Sequence, residues 1–181
     1  MDCDVLIVPG LWDSGPQHWQ SIWGRKHRDW QRVQHRDWNN PQRVEWVAEL
    51  DAAIALCEGA PLLVAHSLGC ITIAHWLRSG SPLRIAGAFM VAPADVEAPT
   101  CPAEIRDFAP IPAERLPFPS IVVTSGNDPY LTRERGRALA TGWGSRLVEL
   151  GDAGHVSSAS GYGDWPEGER MLLDFCAQAK A

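Results

Sequence analysis

Length, composition and charge narrow the class of this protein before any motif is considered. The chain has 181 residues, of which 45% are hydrophobic and 21% charged, enough for a globular domain with a sizeable core that needs neither metals nor disulfides. Its formal net charge of -6 argues against a nucleic-acid-binding surface, because phosphate binding requires clustered lysine and arginine. We therefore predict one domain over residues 1–181 and no nucleic-acid partner.

The N-terminal residues and the hydropathy of the chain indicate its subcellular location. Asp2 and Asp4 make the N-terminus acidic where a secretory signal would be basic, and the apolar run that follows stops at Pro9 and Gly10. No apolar run approaches the roughly 20 residues needed to span a bilayer. The cysteines are scattered without a Cys-x-x-Cys pair, so reduced thiols are expected. These features predict a cytoplasmic protein without a membrane partner.

Short apolar runs alternate with longer stretches of helical spacing, which is typical of an α/β protein with a mostly parallel sheet of about six strands. The predicted strands are, in chain order, Val5–Val8, Arg32–His35, Leu62–Ala65, Ile85–Ala92, Ser120–Thr124 and Arg146–Glu149. The predicted helices are Pro16–His27, Pro41–Leu56, Leu68–Arg78, Leu131–Trp143 and Pro166–Ala179. The segment from Pro93 to Pro119 holds half of the chain's 14 prolines, so it cannot form one regular helix. Such a long loop is either a functional cover or a structural excursion.

A serine lies between the third predicted strand and the helix that follows it. Residues 65–69 are Ala-His-Ser-Leu-Gly, which fits the pattern Gly-x-Ser-x-Gly with alanine in the first place. In a nucleophile elbow the residues two before and two after the serine must be small, as Ala65 and Gly69 are. The amide of Leu68 is then placed to stabilise an oxyanion. Ser67 can equally be a helix cap, so the pentapeptide alone leaves both readings open.

A serine nucleophile needs a histidine base, and on this type of sheet the expected chain order is serine, acid, histidine. Two histidines follow Ser67. His75 lies about 12 Å along the same predicted helix, which is too far. His155 is the remaining candidate, because the turn-rich loop 151–156 follows the last predicted strand and can bring its imidazole over the sheet edge.

The acid has three candidates, which differ in their position along the chain. Asp128 comes directly after the strand Ser120–Thr124, at the carboxyl end where α/β sheets collect catalytic groups. Asp95 follows the preceding strand and is the second choice. Asp152 lies too close in sequence to His155 to be preferred. We therefore predict that Asp128 is the acid.

The loop after the first strand should supply a second oxyanion donor. Gly10 permits a tight turn there, and the amide of Leu11 is the best donor, with that of Trp12 next. We also place the Trp12 side chain in the substrate pocket. His18 is a further candidate to face this site, although a structural hydrogen bond is the preferred role for it.

Five motifs of the chain together point to one known family. They are Pro-Gly-Leu-Trp-Asp-Ser-Gly-Pro-Gln-His-Trp, Ala-His-Ser-Leu-Gly, Ser-Gly-Asn-Asp-Pro-Tyr, Gly-His-Val-Ser and Gly-Tyr-Gly-Asp-Trp-Pro-Glu-Gly. With them the chain resembles the YdeN-like serine hydrolases from Val5 to about Phe175. These are small α/β hydrolases, a group that also includes the retinoblastoma-binding serine hydrolase. The resemblance implies a compact α/β-hydrolase fold and a triad of Ser67, Asp128 and His155.

The chain departs from the family pattern in two places. Ala65 replaces the first glycine of the general serine motif, which a tight turn tolerates. The retinoblastoma-binding signature Leu-x-Cys-x-Glu is absent, because Leu56, Cys57 and Glu58 are contiguous. A retinoblastoma-type partner is therefore not expected.

These residues predict a serine hydrolase, of the carboxylesterase type, that cleaves small carboxylic esters through an acyl-enzyme. A chain of this length has no room for an inserted lid domain and offers little enclosed apolar surface for long acyl chains. No metal or cofactor is expected. The same triad serves thioesterases, amidases and acyltransferases, and the fold does not choose among them. A non-catalytic interaction module on a hydrolase scaffold is a further alternative.

Overall fold

The computed structural model describes residues 4–179, and its centre is a six-stranded sheet. The strands are β1 (Val5–Val8), β2 (Gln31–Arg32), β3 (Leu62–His66), β4 (Gly87–Val91), β5 (Ser120–Thr124) and β6 (Arg146–Glu149). Every neighbouring pair of strands is parallel, and the order across the sheet is β2-β1-β3-β4-β5-β6. The prediction of a mostly parallel sheet of about six strands is confirmed.

Of the five α-helices between residues 4 and 179, four connect strands and the fifth follows β6, and together they cover both faces of the sheet. The four central strands are buried on both faces, so their residues are apolar except at strand ends and alternate between two cores. One core includes Trp46, Ile71 and Trp143, and the other includes Trp19 and Phe175. The helices on the first side are α2 (Arg43–Ala55), α3 (Leu68–Arg78) and α4 (Arg133–Trp143), and those on the second are α1 (Trp19–Lys26) and α5 (Pro166–Ala179).

The second strand is shorter than predicted. The sequence predicts Arg32–His35, but pairing with β1 is confined to Gln31 and Arg32. The His35 ring lies instead against Trp46 of α2, with ring centroids 3.8 Å apart, and its Nδ1 is 2.6 Å from a carboxylate oxygen of Glu49. Burial of His35 therefore reflects packing against a helix, and the prediction that this segment continues the strand was wrong.

Capping side chains set the starts of two helices, α1 and α4. The first helix begins at Trp19 and not at Pro16, because Nδ1 of His18 accepts a hydrogen bond from the amide of Gln20. In the same way α4 begins at Arg133, after Thr132 accepts a bond from the amide of Arg135. The predicted starts of both helices were therefore two or three residues too early.

The connection from β4 to β5, residues 92–119, carries no strand or α-helix. It contains one 3₁₀ helix, Ala103–Phe108, and no inserted lid domain. Burial of Ile105 and Phe108 ties this segment to the core formed with α2 and α3. The proline-rich segment is thus a packed excursion, and part of it lies beside the site described below.

The cysteines do not all have the expected state. Cys57, Cys70 and Cys101 are free thiols, whereas Cys176 is disulfide-bonded, so the expectation of reduced cysteines is wrong for Cys176. Cys3 lies outside the described residues. Between residues 4 and 179, none of the helices has the length and hydropathy needed to cross a membrane. The cytoplasmic location stays a prediction.

Candidate active site

Ser67 occupies a strained turn between β3 and α3. Its backbone angles are φ 54° and ψ -120°, a combination that costs energy for any residue with a Cβ. Its amide is held by the carbonyl of Val91 at 3.0 Å. Its side chain makes no capping bond to α3. The hydroxyl is therefore presented at the carboxyl edge of the sheet instead of being used by the helix.

The turn at Ser67 packs directly against the loop that follows β1. A Cβ on Gly69 would lie 2.7 Å from the carbonyl oxygen of Pro9 and closer still to that of Val8. A Cβ on Gly10 would lie 2.9 Å from the Cβ of Ser67 and 3.1 Å from the amide nitrogen of Leu68. Only glycine fits at both positions, because the two backbones are in contact.

The structure brings Ser67, His155 and Asp128 into one hydrogen-bonded line. Nε2 of His155 lies 2.9 Å from Oγ of Ser67. Nδ1 of His155 lies 3.0 Å and 2.9 Å from the two carboxylate oxygens of Asp128, whose side chain is fully buried. One of those oxygens also accepts the amide of Tyr130 at 2.8 Å. This arrangement has the geometry of a nucleophile, a base and an orienting acid.

The competing candidates from the sequence lie elsewhere. Asp95 lies in the cleft wall, where its carboxylate accepts a bond from Arg135 at 3.4 Å. His75 points to the 3₁₀ helix, with Nε2 2.7 Å from the carbonyl oxygen of Phe108. Neither side chain is bonded to Ser67 or His155.

The loop that carries His155 is held by side chains that the sequence analysis missed. Oγ of Ser125 accepts the amide of Ala153 at 2.9 Å, and Oδ1 of Asn127 accepts the amide of Gly154 at 2.7 Å. Both residues lie in the Ser-Gly-Asn-Asp segment beside the acid. The position of these two residues beside Asp128 could have marked them as part of the site. Their hydrogen-bond partners could not be predicted, because those partners lie in a loop without regular structure.

The backbone amides proposed for the oxyanion differ in their availability. Leu68 is the first residue of α3, so its N–H has no acceptor within the helix. The amide of Trp12 donates to the carbonyl of Trp38 at 2.9 Å and is already engaged. Leu11, which lines the cleft, therefore remains the preferred second donor.

A cleft of about 510 Å³ opens above Ser67 and His155. Ala94, Ala98 and Ile105 give it an apolar wall, and residues 157–160 give it a wall rich in hydroxyls. Trp12 lines the cleft and has 58% of its surface exposed. The cleft thus combines an apolar side and a polar side around the reactive groups.

Two further imidazoles lie in the cleft wall and carry no charge at neutral pH. Burial, assisted by Arg32 and His155, lowers the pKa of His18 to about 4. Burial also lowers the pKa of His66 well below its usual value. The rings of His18 and His66 are 4.7 Å apart, and those of His66 and His155 are 4.8 Å apart. Within residues 4–179, no group of three or more potential ligands is arranged to hold a metal ion.

The fold and the site together define a hydrolase of the α/β class, and comparison with known proteins identifies the family. Residues 5–174 match the serine hydrolase family. The chain belongs to this family, as a YdeN-like small serine hydrolase of the α/β-hydrolase superfamily. No curated protein sequence matches the chain.

Solved structures agree with this assignment over nearly the whole chain. A YdeN-like protein of Pectobacterium atrosepticum is 32% identical, with a TM-score of 0.88 over 98% of this chain and 92% of that one. The YdeN protein of B. subtilis is 21% identical, with a TM-score of 0.78 over 97% of this chain and 100% of that one. A thermophilic esterase of Thermogutta terrifontis, 15% identical with a TM-score of 0.69 over 100% and 92% of the two chains, shares the fold.

The contact between the Ser67 turn and the β1 loop predicts the effect of a single methyl group. Gly69→Ala should lower the free energy of unfolding by about 1–3 kcal/mol, because the Cβ meets backbone atoms that cannot rotate away. Gly59→Ala is the control, since a Cβ there meets nothing within 4 Å. Urea unfolding measures both changes, and equal stabilities of the two variants would contradict the described contact.

Burial of His18 predicts a loss of stability in acid. Its pKa is about 4 in the folded protein against 6.5 for the unperturbed group, so the unfolded chain binds the proton first as the pH falls below 6.5. Stability should therefore fall by about 2–3 kcal/mol between pH 7 and pH 4.5 from this residue alone. His18→Asn keeps a cap for Gln20 but does not titrate. Urea unfolding at both pH values should show a smaller loss for this variant, and parallel losses would refute the assignment.

Proposed function

We propose that the chain is a carboxylesterase-type serine hydrolase that cleaves short, uncharged esters through an acyl-enzyme. The observation that carries the proposal is the hydrogen-bonded line of Ser67, His155 and Asp128 at distances of 2.9 to 3.0 Å. Membership of the serine hydrolase family and the esterase fold of related structures support the same reaction class.

In the first half of the reaction Ser67 attacks the ester carbonyl. His155 takes the hydroxyl proton at Nε2 as the new carbon–oxygen bond forms, and Asp128 accepts the Nδ1–H bond and stabilises the imidazolium. The amides of Leu68 and Leu11 donate to the oxyanion. His155 then gives its proton to the departing alcohol, which leaves an acyl group on Ser67.

In the second half water replaces the alcohol. His155 removes a proton from the water as it attacks the acyl carbonyl, and the proton returns to Ser67 when the acid product leaves. The cleft mouth at Trp12 is open to solvent, which supports hydrolysis as the fate of the acyl group. The turn at Ser67 then has the role of a nucleophile elbow.

The charged side chains of the cleft wall are already paired, which favours uncharged substrates. Asp13 is paired with Arg32, and Asp95 is paired with Arg135. The two wall histidines are neutral at neutral pH. A charged acyl or alcohol group would lose hydration without gaining an unpaired partner. The apolar wall and the limited volume favour a short acyl chain.

The proposal predicts that substitutions of two aspartates near the cleft have different effects on kcat. Asp128→Asn should reduce kcat on a short p-nitrophenyl ester by up to about 10⁴-fold, because asparagine cannot hold the imidazole in the required tautomer. Asp95→Asn should change kcat by a few fold at most, because Asp95 is bonded to Arg135 and not to His155. Steady-state kinetics on both variants, after circular dichroism has shown that each is folded, measures the difference.

The two aspartate variants also separate the alternatives. A severe loss in Asp95→Asn with a near-normal Asp128→Asn would reverse the assignment of the acid. Equal mild losses would mean that Ser67 and His155 work as a dyad. No ester hydrolysis by the folded wild-type protein would favour an interaction module over an enzyme, and faster turnover of matched thioesters or amides would change the substrate class.

A further inference from the structure

Both backbone groups of His155 are bonded to side chains. Its N–H donates to Oγ of Ser160 at 3.1 Å. Its carbonyl oxygen lies 2.9 Å from Nε2 of His66. His66 is 6% exposed and its ring lies beside that of His155. The base of the proposed triad is therefore held from two sides by residues to which the mechanism gives no role.

The position of His155 depends on these bonds because its loop has no regular structure. The His155 loop, residues 150–157, follows β6 and bends at Gly151 and Gly154, both of which have positive φ. Other side chains hold three further residues of the loop: Ala153 is held by Ser125, Gly154 by Asn127 and Val156 by Trp19. Among residues 4–179, only His66 and Ser160 bond the backbone of His155 itself.

The two bonds connect His155 to the end of β3 and to the short 3₁₀ helix Ser158–Ser160. His66 is the last residue of β3 and directly precedes Ser67, so its bond links the neighbour of the nucleophile to the residue that carries the base. Ser160 packs against Gly154, where a Cβ would lie 2.9 Å from the Cβ of Ser160. A shift of either side chain moves the imidazole relative to Oγ of Ser67.

His66 acts as a hydrogen-bond donor, through Nε2, to the carbonyl oxygen of His155. A carbonyl oxygen only accepts, so the proton of the His66 ring lies on Nε2. Burial lowers the pKa of His66 well below its usual value, which keeps the ring neutral. A neutral ring does not repel the imidazolium that forms on His155 during the reaction, as a charged one would.

We propose that His66 and Ser160 are positioning residues that hold the backbone of His155 and so keep its imidazole within hydrogen-bond reach of Ser67. The inference rests on the proposed function, because it concerns the efficiency of the base in that mechanism. Both residues line the cleft, and in this role each acts through His155.

Three variants test the role of His66. His66→Leu removes the donor, whereas His66→Gln retains an amide N–H near the position of Nε2. His75→Leu is the matched control, because His75 is also a buried histidine of the same strand–helix unit that bonds a backbone carbonyl, that of Phe108. Steady-state kinetics on a short p-nitrophenyl ester and thermal unfolding are measured for each.

The expected pattern separates positioning from stability. His66→Leu should lower kcat by about 10- to 100-fold with KM within about threefold of wild type, because misplacing a catalytic group by about 1 Å has effects of this size. His66→Gln should recover most of kcat. His75→Leu should lower the unfolding temperature comparably to His66→Leu but change kcat by a few fold at most.

Several results would overturn the proposal. It is wrong if folded His66→Leu has a wild-type kcat, if the glutamine variant is as impaired as the leucine variant, or if His75→Leu shows the same loss of kcat. Should the His66 variants not fold, Ser160→Ala carries the test: a fall in kcat with KM preserved supports the proposal, and an unchanged kcat overturns it. Absence of ester hydrolysis by the wild type would instead contradict the proposed function.

Discussion

The contact between two stretches of backbone, the turn at Ser67 and the loop after β1, governs the geometry of the site. No Cβ fits at Gly69 or Gly10, so the two segments meet at main-chain distance. This contact places Gly10 against Ser67 and the amide of Leu68, and its neighbour Leu11 lines the same cleft as Ser67. The strained backbone of Ser67 persists because buried β3 and α3 hold it on both sides.

A second set of contacts positions His155. The His155 loop is tied down by side chains from the segment after β5, from α1 and from the end of β3. Hydrogen bonds to backbone groups leave the imidazole free to contact Ser67 and Asp128. The site therefore combines a rigid sheet edge with loops whose order comes from side-chain bonds.

The sequence predicts the features that depend on local pattern. Apolar runs identify the four central strands β1, β3, β4 and β5, because burial on both faces leaves a nearly continuous apolar signal. The helix Leu68–Arg78 is predicted with its observed bounds. Small residues around Ser67 and the chain order of Asp128 and His155 suffice to choose the three side chains that the structure brings together.

Features that depend on contacts distant in sequence were not predicted. The shortening of β2 follows from the packing of His35 on Trp46, and no periodicity reports that contact. The bond from His66 to the carbonyl of His155 joins residues 89 positions apart, one of them in an irregular loop. Such partners become visible only once the tertiary structure has brought the segments together.

Covalent labelling with a fluorophosphonate probe tests most directly whether Ser67 is an activated nucleophile. We expect one adduct on the native protein, mapped by mass spectrometry to Ser67, and no adduct on heat-denatured protein, since reactivity requires His155 and the oxyanion donors. Ser67→Ala should not be labelled. Labelling of Ser67→Ala as fast as the parent protein, or of another serine in the native protein, would contradict the assignment of Ser67 as the nucleophile.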